Sequence, residues 1–497
     1  MGSKSAQRQE GELSFYAELQ SRCFYEIFIR SFRDSNHDGI GDINGIRESL
    51  DYLADLGVGG IWLTPFFPAP SYHNYDPVDL LDVDSSYGTM LDFRLLVEEA
   101  HKRDMLVLMD FVANHTSWKH AWFERAIKGE EPYRSYYLWQ ADAPQPKEGQ
   151  WHRLPGPTTH REKYYACFSR TMPDLNFDHP HVRRQIIRAA CWWLQRTDVD
   201  GFRLDAAQHI YPSDNTAANV KWWAEFAAAV RVVKPRVLLI GECWNKVTHQ
   251  AAYLEALDGV FNFELAEGIQ QAVLEENAMD LPQRIAQMLQ TYGSFRSPFV
   301  HCIFLSNHDM TRIYSVLKHS IEKMRMAACL LLTLPGLPFI YYGEEIGMRG
   351  LKPDPYLREP FLWSKNVQQA GQTHWLRARY TTRRVVEPAQ EQRQRPNSLL
   401  NYYRKLIGLR RCSPALSRGD FIPLQTAHPA LMAYERRCCQ QVLLIVHNLS
   451  SKSQRISADW LTADASVVFR SQSGAMHQGT YLSLPSYSSV ILQKPVW

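Results

Sequence analysis

A chain of 497 residues with 45% hydrophobic content and a formal charge of +3 has room for two or three domains and lacks the composition of a polyanion binder. It carries no sustained basic stripe and no apolar run of membrane-spanning length, which argues against nucleic-acid and membrane partners. Nine scattered cysteines without a C-x-x-C pair read as reduced thiols and point to the cytoplasm. Residues 1–14 are polar and lack the apolar core of a signal peptide, so a secreted or periplasmic origin would require a leader already removed.

Phe24 to Phe32 (FYEIFIRSF) alternates and is rich in aromatics and Ile, which predicts a strand. Asp34-Ser-Asn36-His-Asp38-Gly39-Ile40-Gly41-Asp42 follows, with oxygen-bearing side chains at every second position before a glycine. That spacing suits a tight loop around a hard cation. Gly45 stands where an EF-hand would place its bidentate Glu, so a non-EF Ca²⁺ loop is expected; Mg²⁺ and a merely polar turn stay open. Residues 44–56 predict a helix, Gly60 to Phe67 a second strand, 88–104 a helix, and Met105 to Phe111 a third strand. Near-continuous apolar strands alternating with helices indicate a parallel sheet covered by helices.

The rhythm breaks over 116–178, a Trp-, Tyr- and Pro-rich stretch with turns around Pro144 to Pro157, which reads as an inserted small domain. After a helix from His181 to Arg196, strands four to eight are expected at 201–209, 237–244, 259–264, 301–309 and 339–346. Eight strand–helix units mean a (β/α)₈ TIM barrel. A helix near 398–411 ends this pattern, and 412–497 alternates in short runs as an antiparallel β domain. The expected architecture is a barrel of residues 1–115 and 179–411, a B domain at 116–178 after strand three, and a C-terminal domain at 412–497.

Barrels of this kind carry functional side chains at the C-terminal ends of their strands. Those ends hold Asp110 and His115, Arg203 and Asp205 with His209, Glu242, and His308 with Asp309. Two carboxylates flanking a bond, one ionised and one protonated, are the machinery of glycoside hydrolysis. Asp205 beside Arg203 suits an ionised nucleophile, although a structural ion pair is the competing reading of that stretch. Glu242, after an apolar strand and before Cys243 and Trp244, suits a desolvated general acid/base. Asp309 suits a group that binds sugar hydroxyls and favours the distorted ring.

The stretches DFVANH (110–115), GFRLDAAQH (201–209), IGECW (240–244) and SNHD (306–309) resemble the α-amylase family of glycoside hydrolases, family 13, over essentially the whole chain. The resemblance implies Asp205 as nucleophile, Glu242 as acid/base and Asp309 as transition-state stabiliser. It implies that Tyr75, His115, Arg203 and His308 line the subsite for the non-reducing-side glucose. The loop DSNHDGIGD is similar to the family's calcium loop, which implies Asp34, Asn36, Asp38 and Asp42 as side-chain ligands with the Ile40 carbonyl.

MPDLNF (172–177) resembles the group between oligo-1,6-glucosidases and neopullulanases that contains bacterial α-amylases. Ala206 stands where 1,6-preferring relatives tend to carry Val, and Tyr72 where exo-acting ones often carry an acid; both lean toward an endo-acting α-1,4 enzyme. Gln208-His209 replaces the Lys-His of many α-amylases, which makes His209 a determinant of the leaving-group side. The implied activity is retaining hydrolysis of starch or maltooligosaccharides by a monomer, with an α-glucosidase or a transglycosylating or trehalose-forming enzyme as the alternative.

Overall fold

The computed structural model describes residues 14–140, 150–154, 162–212, 215–278, 280–366 and 371–495. Residues 1–13 of the polar N-terminal stretch, and the turns expected between Pro144 and Pro157 apart from 150–154, lie outside them. Eight parallel strands form a closed barrel: β1 (Phe24–Ile27), β2 (Gly60–Leu63), β3 (Leu106–Phe111), β6 (Gly201–Leu204), β7 (Leu238–Gly241), β8 (Gly259–Phe261), β9 (Val300–Phe304) and β10 (Leu337–Tyr341). Between β3 and β6 lies the two-stranded hairpin β4 (Trp151–Arg153) and β5 (Lys163–Tyr165).

The chain divides into two compact units, one of Met1–Ser31, Asp51–Gly60 and Asn262–Trp497, the other of Phe32–Leu50 and Ile61–Phe261. In the second unit, β3, β6 and β7 pair in parallel register, with Asp110 opposite Arg203 and Leu204 opposite Gly241. That register puts the basic side chain of β6 beside the acidic one of β3. It also brings Asp205 and Glu242, each one residue past its strand, to the same level. Gly201 permits the pairing, because a Cβ there would sit 2.0 Å from the Leu238 carbonyl oxygen. The strands are held from outside by the helices Met90–His101, Pro180–Thr197 and Thr216–Val233. The first begins in a capping box in which Thr89 and Asp92 satisfy each other's backbone N–H.

In the first unit, β1 pairs β10 with Phe24 opposite Phe339, and β10 pairs β9. The C-terminal strands β11 (Asp420–Leu424), β12 (Leu431–Cys438), β13 (Gln441–Asn448), β14 (Gln454–Ser457), β15 (Ser466–Arg470), β16 (Met476–Gln478), β17 (Tyr481–Leu484) and β18 (Ser488–Lys494) form two antiparallel sheets, of five and three strands. Leu431, Leu444, Val446, Leu482, Leu484 and Leu492 form their shared core. Among the described residues no helix is long and apolar enough to cross a membrane.

Local boundaries differ from expectation where the barrel needs fewer residues than the apolar pattern offers. The first strand stops at Ile27 and Ile29–Phe32 turn helical, so that the Ser31 hydroxyl reaches the Arg358 carbonyl at 2.5 Å. The helix expected over 44–56 is two helices, Ile43–Glu48 and Leu50–Leu56, parted at Ser49, whose hydroxyl bonds back to the Gly45 carbonyl.

Candidate active site

Arg203 organises the cluster in the second unit. Its Nη1 donates to Asp110 Oδ1 at 2.8 Å and to Asp205 Oδ1 at 2.7 Å, and Nη2 is ion-paired with Glu242 Oε1. All four side chains are buried. Burial works against the charged guanidinium, but Asp110, Glu242, Tyr75 and Asp205 outweigh it and hold Arg203 firmly protonated. The expectation that Arg203 serves Asp205 in particular is therefore too narrow, since the same cation rests on both carboxylates of the proposed pair.

Backbone geometry fixes the second carboxylate. Glu242 Oε2 accepts the Ala206 N–H at 3.1 Å, and the Ala207 N–H donates to the Glu242 carbonyl at 3.0 Å. Ala206 adopts a left-handed backbone, with φ 46° and ψ 40°, immediately after Asp205. Asp110 is held by two further donors, Tyr75 Oη at 3.0 Å and Trp62 Nε1 at 3.2 Å, and the guanidinium lies over both of those rings.

His115 Nε2 lies 2.8 Å from the Tyr75 carbonyl oxygen, and burial pushes the imidazole down to about 4, so it is neutral at ordinary pH. Phe168, half exposed, packs on His115, His209 and Trp244 with ring centroids 5.6, 5.4 and 6.0 Å away. His209 and Trp244 are themselves joined through Gln208, whose amide reaches His209 Nε2 at 3.0 Å and accepts the Trp244 N–H at 2.8 Å. Asp174 of MPDLNF accepts from the N–H of Cys167, the neighbour of Phe168, and from Asn114 Nδ2; burial pushes its carboxyl up to about 8.

In the first unit, His308 and Asp309 form their own network. His308 Nδ1 is 2.5 Å from Glu26 Oε1 on β1, and its Nε2 is 3.2 Å from Asp309 Oδ2. Burial favours a neutral His308, but Asp309 and Glu26 overcome it and raise the imidazole to about 10. Arg358 Nη2 donates to Asp309 Oδ1 at 2.6 Å, while its Nε donates to the His308 carbonyl at 2.9 Å. Asp309 keeps nearly half its side chain in solvent, at 46% exposure, which leaves it open to a ligand.

Four contributing side chains lie outside those that sequence reasoning brings forward: Trp62, Phe168, Glu26 and Arg358. Asp110 is a strand-end carboxylate and so was visible by position. An acid within the apolar run FYEIF was the available signal for Glu26, and the arginine opening REPFLW was the signal for Arg358.

The loop 34–42 turns its oxygens onto its own backbone. Asp34 accepts from Asn36, His37 and Gly39, Asn36 from Asp38, Asp38 from Ile40, and Asp42 from Ser35 and Gly45. Among the described residues no group of three or more His, Cys, Asp or Glu side chains converges to hold a metal. The two buried carboxylates, Asp34 and Asp42, make no ion pair among the described residues. Burial pushes Asp42 up and the charge of Asp34 adds to it, while the Ser35 and Gly45 donors pull the other way.

The sequence matches the family model described as "Alpha amylase, catalytic domain" over residues 26–419, and "Alpha-amylase SusG C-terminal domain" over 431–491. Alpha-amylase 3 of Dictyoglomus thermophilum is 38% identical over 477 residues, spanning 96% of this chain and 94% of that protein. A 4-alpha-glucanotransferase of Thermotoga neapolitana is 32% identical over 434 residues, spanning 86% and 95%. The crystal structure of an alpha-amylase from H. orenii superposes with a TM-score of 0.88 at 36% identity, covering 95% of this chain and 99% of that one. With its closed barrel, its C-terminal β domain and the catalytic-domain match along most of its length, the chain belongs to the α-amylase family and is an enzyme of glycoside hydrolase family 13.

Proposed function

We propose that this enzyme is a retaining α-glucan hydrolase that cleaves α-1,4 bonds of starch or maltooligosaccharides through a glycosyl-Asp205 intermediate. The carrying observation is the single guanidinium of Arg203 resting on both Asp205 and Glu242. A cation shared in this way keeps two carboxylates close, as retention requires; an inverting pair stands wider to admit a water between sugar and base. Asp205 attacks the anomeric carbon while Glu242 protonates the leaving oxygen, and Glu242 then deprotonates the water that releases the sugar. Asp309, following β9 as the other two acids follow β6 and β7, takes the role of stabilising the distorted ring. Tyr75, His115 and His308 bind the glucose whose bond is cleaved, and His209 faces the leaving-group side.

We take residues 116–178 as the B domain inserted between two barrel segments, 1–115 and 179–411, with 412–497 as the C-terminal domain. The donor set of the 34–42 loop fits a Ca²⁺ ion, because it gathers four oxygen-bearing side chains of the kind a hard cation takes within one nine-residue loop. Asp34, Asn36, Asp38 and Asp42 with the Ile40 carbonyl would hold it, and the ion would supply charge neutralisation to that loop.

Glucanyl transfer is the second reading. It is favoured by the exposed rings of Phe168 and Trp244 around His209, which offer an acceptor sugar an apolar platform beside Glu242. Chromatography of the products from maltoheptaose separates the two: shorter oligosaccharides mean hydrolysis, longer ones mean transfer, and glucose alone contradicts endo action. Asp205→Asn is expected to abolish activity on maltoheptaose, and a fully active variant overturns the mechanism.

A further inference from the structure

Below strands β9 and β10, at the ends opposite the site residues, the first unit contains a cavity of about 460 Å³. It is lined by residues 297–299 and 335–336, which lead into those strands, by the helix Leu281–Phe295, and by the segment 417–421 that enters the C-terminal sheet. Asp309 follows β9 at its other end, so ligand binding in the cavity and bond cleavage are separable. The volume falls within the range of small-molecule sites, roughly 300–1,000 Å³.

Basic groups outnumber acidic ones around this cavity, with Arg418 and Arg436 set against Asp420 in its lining. Arg436, which lines it, is 1% exposed and donates to the Thr333 carbonyl at 3.0 Å and the Gly419 carbonyl at 2.9 Å. Arg410, equally buried, donates to the carbonyls of Leu332, Leu334 and Gly336, and its Nε is buried with no hydrogen-bond partner. Neither arginine has a carboxylate within ion-pairing distance among the described residues. Burial pushes Arg410 down to about 10, and burial together with the charge of Arg410 pushes Arg436 down to about 9, with Asp420 opposing the shift only in part. Two adjacent buried cations, hydrogen-bonded only to carbonyls and faced by one carboxylate of the cavity lining, Asp420, keep an excess of positive charge, a costly arrangement that an anion would relieve. At the mouth stands Arg418, exposed, with Asp420, Gln290 and Ser297 beside it as hydroxyl-binding groups.

We propose that this cavity binds a small phosphorylated metabolite of the sugar-phosphate class, its phosphate held by Arg436 and Arg418 and its hydroxyls by Asp420, Gln290 and Ser297. The phosphate supplies the missing counter-charge and ties the 417–421 segment to the loops that begin β9 and β10. A neutral glucan would leave the arginine pair as it stands.

Thermal melts and titration calorimetry of the full chain with inorganic phosphate, with glucose 6-phosphate and with maltose test the assignment. Both anions should raise Tm in a saturable way, glucose 6-phosphate at lower concentration than phosphate, while saturating maltose leaves the glucose 6-phosphate isotherm of the Asp205→Asn variant unshifted. Arg418→Ala should raise the half-saturating concentration of glucose 6-phosphate about tenfold, with starch hydrolysis unchanged. Gln290→Trp, which fills the mouth without removing charge, should abolish binding. No response to either anion, a response to phosphate but not glucose 6-phosphate, or anion binding that survives both variants would each overturn the proposal.

Discussion

Ala206 donates its backbone N–H to Glu242 Oε2 at 3.1 Å, so the residue after the proposed nucleophile positions the proposed acid/base. It does so from a left-handed conformation, φ 46°, that an L-residue adopts at a cost. Ala206→Gly should stabilise the fold by up to ~1 kcal/mol, and Ala206→Val should destabilise it by ~1–3 kcal/mol, because a β-branched side chain resists that backbone. Urea unfolding measures both. The Val variant should also lose kcat on α-1,4 substrates as the peptide tilts away from Glu242, and unchanged kcat with lowered stability would separate the two effects.

Removing Arg203 tests the shared cation. Arg203→Met leaves Asp110, Asp205 and Glu242 buried without their counter-charge, a loss of ~3–5 kcal/mol by the usual cost of breaking a buried pair. Denaturant midpoints should fall accordingly at neutral pH and recover in part at pH 4, where carboxylates take up protons. A midpoint close to wild type would contradict the network.

Much of this site is legible in the order of residues along the strands, because a barrel puts whatever follows an apolar run at one rim. Asp205, Glu242 and Asp309 could be read in that way. The network around Asp309 could not, since Glu26 and Arg358 come from segments far apart in sequence and meet only through the register of β1, β10 and β9. Nor could the sequence show that Arg203 reaches Glu242. Spacing along one strand predicted its contact with Asp205, while the contact across to β7 depends on Leu204 standing opposite Gly241. The apolar pattern overruns the first strand by five residues because Phe28, Ile29 and Phe32 are apolar for burial at and within the short helix Ile29–Phe32, not for pairing.

Asp174 gives stability a pH dependence of known sign. Its carboxyl is raised from 3.8 to about 8 by burial, so between those values the folded protein holds a proton that the unfolded chain has released. The contribution is fully present below the unfolded pKa and is lost as pH rises through the folded one. Asp174→Asn should therefore gain in Tm relative to wild type as pH goes from 5 to 9. A difference between the two proteins that stays constant over that range would exclude the buried, protonated acid.

If the 34–42 loop holds Ca²⁺, a chelator should lower Tm and added Ca²⁺ should restore it, with Mg²⁺ much less effective. Asp42 also caps the helix Ile43–Glu48, so Asp42→Ala conflates two roles. Asp38→Ala, at an exposed loop position, is the cleaner variant and should remove the chelator response at small cost to the apo melt.

Trp244 and Phe168 should govern the fate of the proposed glycosyl intermediate. Trp244→Ala is expected to cut the ratio of transfer to hydrolysis severalfold, since loss of one stacking platform removes ~1 kcal/mol of acceptor binding. Total turnover of a short activated maltoside should change less. Product ratios at high maltotriose concentration measure this, and an unchanged ratio would remove the two rings from acceptor binding.

The pairing of Phe24 with Phe339 has a consequence for the order in which the protein is made. The first barrel strand leaves the ribosome some 300 residues before its partner on β10, and at typical synthesis rates waits at least ~15 s for it. The C-terminal sheet repeats the pattern, since β18 lies between β13 and β15 and the sheet is whole only once residue 494 exists. During that interval the aromatic strand FYEI has an unsatisfied edge, and a nascent chain stalled before residue 337 should be a chaperone client and not a foldable half-barrel.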